Sequence, residues 1–306
     1  GNQAGYNITS GCSNIILGKC AVYSLTTNFT GSYNFIAGCH AACKISSGGC
    51  SVIIGKGAGR GVTTSGNNIF IGGEVGDGAA GDVTGFNNIA LGYHASRRIT
   101  TGSSNVTIGR QAGCEIRDSS ENVFIGEYAG STIQGSSNIG NNYIGKWAGR
   151  CMQGGAYNVA LGHLALRGST TSTNNTGDRN IAIGGCAGIS MTSGAMNAFL
   201  GDYAGRYNTS GKCNIFIGYA AGSTNTTGSL NIAIGCCVQL PSTTGNNQFA
   251  IGRGTNRWIA GDSSYNVTLS GIATVTASTG VVEATKFCGD GSCLTGLAGF
   301  SPDADE

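Results

Sequence analysis

The chain is nearly without proline and has very little charge. Two prolines and 10% charged residues stand beside 55 glycines in 306 residues. Glycine this abundant without proline excludes a collagen-like chain. The 40% hydrophobic content, set at ordered positions, excludes a disordered one. A net charge of only +2 gives no reason to expect nucleic acid or an anionic membrane as partner. No apolar run approaches the ~20 residues of a membrane helix, so membrane insertion is not expected. With three histidines and no Cys-x-x-Cys pair, neither a zinc site nor any cofactor is expected. No signal peptide is visible, although the chain starts at Gly1 rather than Met.

What the chain has instead is one phrase, written many times. "ENVFIGEYAG" at 121, "RNIAIGGCAG" at 179, "MNAFLGDYAG" at 196 and "CNIFIGYAAG" at 213 are near copies. Aligned on the glycine after the apolar triplet, 14 copies follow one another from Gly18 to Gly252. Nine of the intervals are 17 residues, and four carry small insertions. A period this strict marks a solenoid or array. Four residues before the glycine stands Asn14, Asn34, Asn68, Asn88, Asn105, Asn122, Asn141, Asn158, Asn180, Asn197, Asn214 or Asn231, with Ser51 and Gln248 in the other two copies. "GNQAG" at 1–5 matches "GRQAG" at 109–113, so the first coil reads as truncated at Gly1 and the native polypeptide is expected to extend further.

A 17-residue unit cannot fold alone. Its Gly, Ser, Thr and Asn oppose helix, and its apolar residues recur at i, i+2. The triplet therefore reads as a short strand, the glycine as its sharp end, and the polar tract as the return. Stacking gives an all-β fold: a parallel β-solenoid or β-roll of about 14–15 coils over residues 1–255, then a small C-terminal β module over 256–306. The asparagines are expected to form a ladder of side-chain amides. The middle residue of the triplet is also mostly apolar, as at Phe70, Phe124, Tyr143, Phe199 and Phe216. A strand apolar on both faces is buried on both, so these five are expected at an interface with other chains, a homotrimer being the natural closed arrangement; the alternative is a thicker single-chain solenoid with both faces inside.

The repeat resembles the head repeats of trimeric autotransporter adhesins, and still more the glycine-rich repeats of phage tail fibres. "SGIATVTASTGVVEATKFCGDGSCLTGL", residues 270–297, is similar to a "GIVTATxFxGDGSxLTGL" module of marine phage tail-fibre-like proteins, with Cys288 and Cys293 as departures. The resemblance implies an elongated extracellular or virion-surface fibre used for attachment, with a cell-surface glycan or receptor as its partner.

Thirteen cysteines favour the turns, where disulfides between adjacent coils or simple reduced thiols are the alternatives. Cys288 and Cys293 flank "GDGS" and are placed to close a small loop. Sequons at Asn28, Asn174, Asn208 and Asn225 fall in return tracts open to glycosylation, whereas Asn105 is a ladder position and should be inaccessible. Glu74, Asp77 and Asp82 form a weak calcium candidate in an insertion. His40, His94 and His163 read as solvated turn residues. Tyr93, Tyr128, Trp147, Tyr203 and Tyr219, just after the glycine, would line up down the stack, with corner packing or an exposed stripe able to stack on sugars as the alternatives. No nucleophile–base–acid set can be assembled, so an enzyme is not expected. The reading is a structural fibre segment, a stiff spacer and attachment surface. The alternative is an extracellular filament protein that stacks end to end with no receptor of its own.

Overall fold

The computed structural model describes residues 1–23, 28–133, 138–171, 175–269, 273–276 and 281–284. Every copy of the triplet is a strand. In chain order these are β1 (Ile15–Leu17), β2 (Phe35–Ala37), β3 (Val52–Ile54), β4 (Ile69–Ile71), β5 (Ile89–Leu91), β6 (Val106–Ile108), β7 (Val123–Ile125), β8 (Asn142–Ile144), β9 (Val159–Leu161), β10 (Ile181–Ile183), β11 (Ala198–Leu200), β12 (Ile215–Ile217), β13 (Ile232–Ile234) and β14 (Phe249–Arg253). Each pairs in parallel with the next, position for position: Phe124 beside Tyr143, Phe199 beside Phe216. The fold is the expected parallel β-solenoid, about thirteen turns between β1 and β14. At ~4.8 Å per strand the stack is roughly 60 Å long.

The described remainder of the coils is mostly turns, with parallel bridges such as Val62 to Val83, and the corners explain the composition. The residue two after the invariant glycine is left-handed whatever its type: His40 (φ 56°), Tyr128 (59°), Trp147 (63°), Cys186 (58°). The residue before the ladder asparagine is too, as at Tyr33 (63°) and Leu230 (61°). The stacked coil holds these side chains in a region they avoid alone, because the backbone there is hydrogen-bonded to the neighbouring coils. Trp147 N–H donates to Glu127 O (2.9 Å), and Gly149 N–H to Ala165 O (3.0 Å). At the strand end only glycine serves. Gly218 has φ 120°, and a Cβ there would lie 2.6 Å from Gly235 O in the next coil.

The core is a narrow column inside one chain. Its walls are the middle residue of each triplet, buried in β2–β14 and half-buried at Ile16 of β1, the small residue three after the glycine (Ala58, Ala95, Ala129, Ala204), and the residue seven after it (Ile45, Val62, Ile99, Ile116, Met191). After β14 the chain reverses. β15 (Asn256–Gly261), β16 (Val267–Leu269), β17 (Ala273–Thr276) and β18 (Val281–Ala284) add antiparallel strands to the β14 edge, so the last coil is closed by a meander.

Candidate functional site

The asparagine ladder exists and is unbroken. Asn180 Oδ1 accepts from the backbone N–H (3.1 Å) and Nδ2 (2.9 Å) of Asn197, while Asn180 Nδ2 donates to Asn158 Oδ1 (3.1 Å) and Gly194 O (2.9 Å). The link from backbone N–H to the preceding coil's side-chain oxygen runs from Asn14 through every coil to Gln248. Ser51 keeps it going with one hydroxyl, its Oγ accepting from Asn68 N–H at 3.2 Å. Asn105 is fully buried, as expected.

Sequence reasoning missed the partner of this ladder. Three residues before each asparagine lies a second small column: Gly102, Gly177, Gly194, Gly211 and Gly228, with Ser65, Ser119 and Asn138 in three coils. Its carbonyls receive the Nδ2 donors, as in Asn197 to Gly211 O and Asn214 to Gly228 O, both 2.9 Å. A Cβ on Gly194 would meet Gly211 O at 2.5 Å. The Gly/Ser/Asn-x-x-Asn spacing was the available signal.

The five aromatic residues expected at an interface are not on an outer face. Phe70, Phe124, Tyr143, Phe199 and Phe216 are fully buried inside the chain's own coil. Phe124 stacks on Tyr143 and Phe199 on Phe216, each with centroids 5.3 Å apart. Period two was read correctly but the faces were exchanged. The middle residue points in, where the ring fills the column, and the two flanking residues point out. The outward side of the fourteen triplets is therefore a stripe two residues wide, with Asn142 its only polar member and Arg253 beyond the last triplet at the end of β14. Ile181, Ile215 and Ile232 on one side of it, and Ile183, Leu200 and Ile217 on the other, are 37–42% exposed.

The calcium candidate is replaced by ion pairs. The insertion leaves the coil register intact, so Glu74 and Asp77 stack on basic residues of adjacent coils. The buried Asp77 carboxylate lies 2.8 Å from Arg60 Nε and 3.6 Å from Arg97 Nε. Glu74 is held by His94 (3.0 Å) and Arg97 (3.3 Å), and Asp82 meets Lys44 (3.4 Å). The His94 hydrogen bond holds the Glu74 carboxyl below its usual range. His94 is thus a buried, paired residue and not a solvated one. Among the described residues no group of three or more His, Cys, Asp or Glu could hold a metal ion.

Of the four sequons, Asn28 is exposed and Asn174 lies outside the described residues. Asn208 and Asn225 are fully buried, which overturns the expectation that they lie open to glycosylation. They occupy the position seven after the glycine, where other coils place Ile99 or Met191, and Asn225 Nδ2 donates to Asn208 Oδ1 (3.2 Å). All eleven described cysteines are free thiols, the neighbours Cys236 and Cys237 having Sγ atoms 3.4 Å apart, and no staple between coils is found among them. Cys288 and Cys293 lie outside the described residues. The corner aromatics carry cations: Arg110 and Arg150 lie over Tyr128 (4.8 and 5.1 Å), and Lys146 over Trp147 (4.8 Å). Tyr93 and Tyr219 stand about half exposed.

Comparison with protein-family models, with curated proteins and with solved structures finds no match.

Proposed function

We propose that this chain is a structural segment of an extracellular or virion-surface fibre, a stiff spacer that also presents an attachment surface. One observation carries the reading: fourteen strands in unbroken register, laced by an interior ladder from Asn14 to Gln248. Such a column resists bending, because bending would stretch hydrogen bonds in every coil on one side. Its partner is itself, a second copy of the same chain. The exposed corner aromatics Tyr93 and Tyr219 suit stacking on a cell-surface glycan. End-to-end growth as a filament is the weaker reading, because the β15–β16 hairpin occupies the β14 edge that the next subunit would need.

The test is placement. Immunogold labelling with an antibody to this chain should decorate thin projections on virions or cell surfaces. Label confined to the cell interior refutes the proposal.

A further inference from the structure

From the outward stripe of β1–β14 we infer that this face is where one copy of the chain packs on another. The inference rests on the fibre reading and adds to it the surface through which copies associate. The stripe is the largest feature that the single chain leaves unexplained. Twenty-seven of the twenty-eight flanking positions in its fourteen triplets are Ile, Leu, Val, Phe or Ala, and none is charged, Arg253 standing beyond the last triplet at the end of β14. Soluble monomers rarely expose a continuous apolar patch beyond a few hundred Å².

The occupant follows from shape and area. The stripe is continuous, because every strand holds the same three repeat positions in register with the next. Three residues at ~3.3 Å give a width of about 10 Å, and with a length of roughly 60 Å the face measures about 600 Å². Two such faces together remove about 1,200 Å² from water, which reaches the range of stable, specific interfaces. An apolar sheet face is covered by another sheet face ~10 Å away, with branched aliphatic side chains meeting between them. A second copy offers that counterpart over the same length and at the same coil spacing. With no charge on the stripe there is nothing to select a charged partner, a nucleic acid or an anionic lipid surface.

The experiment is light scattering on the whole chain, whose monomer mass is 30.7 kDa. Wild type should run as a discrete dimer, because one such face closes on one other. Ile183→Glu with Ile217→Glu should weaken association at least about a hundredfold and give monomer, with the far-ultraviolet circular dichroism unchanged. Thr227→Glu, exposed on the return side of the coil, should leave the assembly intact. A wild-type monomer overturns the inference, as does a double variant that stays assembled. Should the double variant fail to fold, Ile215→Lys and Ile215→Asp are compared with wild type one at a time. Each alone should loosen the assembly, and full assembly by both overturns the proposal. A monomeric rod would sink this inference and leave the fibre reading standing. A compact or flexible particle would count against the fibre reading itself.

Discussion

Deleting one rung of the ladder gives a cost that can be worked out bond by bond. Asn180→Ala removes a fully buried side chain that donates twice and accepts twice. Two of the four partners keep another bond. Asn158 Oδ1 still accepts from Asn180 N–H (2.9 Å), and Asn197 Nδ2 still donates to Gly211 O (2.9 Å). Two are stranded in the interior, the Asn197 N–H and the Gly194 carbonyl. A buried polar group left without a partner costs about 1–3 kcal/mol, so the variant should lose about 4 kcal/mol. Asn180→Ser is the internal control. Ser51 shows that a hydroxyl at this position accepts the next N–H, so serine strands only the carbonyl and should cost about half as much. The assay is urea unfolding followed by circular dichroism, with hydrogen exchange at the Asn197 amide as the local readout. Repeat arrays need not unfold in one step, and the amide reports the damaged coil directly. Its protection should fall about a thousandfold in the alanine variant. A loss below about 1 kcal/mol, or equal losses for alanine and serine, would refute the idea that the ladder stabilises by satisfying the backbone.

Three further outcomes are expected. Gly218→Ala places a Cβ against the next coil's backbone at φ 120° and should abolish soluble folding, whereas Gly254→Ala, with φ 56° and open space around it, should cost only about 1 kcal/mol; equal effects would mean that close approach is not the constraint. Glu74 has its carboxyl pKa lowered in the fold, so the stability it contributes is present above its ordinary value of 4.5 and disappears as pH falls through the lower folded value. Glu74→Gln should therefore flatten the acid limb of melting temperature against pH, and an unchanged limb would show that the pair with His94 contributes nothing. In a secretory eukaryotic host, mass spectrometry should find sugar on Asn28 and none on Asn208 or Asn225, since only the first is exposed; glycan on either buried asparagine would place them outside the column.

Much of this architecture is legible because a solenoid writes its structure along the chain at constant pitch. The invariant glycine, the Asn ladder and the strand length all repeat, and repetition separates a structural demand from accident. What period alone does not carry is direction. A triplet such as Ile215-Phe216-Ile217 alternates in and out either way round, and apolar residues on both sides leave hydropathy with nothing to choose between. Volume was the missing discriminator. The middle position swings from Ala182 to Phe199 and Phe216 and back to Ala233, while most flanking positions hold β-branched or Leu side chains of similar size. A single-chain column tolerates that swing, because a ring in one coil fills the space that an alanine leaves in the next. A flat face between copies does not, since each bulge would hold the two sheets apart along their length. The uniform pair is the one suited to meeting a partner and the uneven one to filling a core. The same logic accounts for Asn208 and Asn225, whose sequons look like loop sequence until their distance from the glycine puts them where Ile99 and Met191 stand inside. In a solenoid, place within the repeat governs a residue's environment more strongly than its polarity does, so reading each column down the coils recovers what reading along the chain loses.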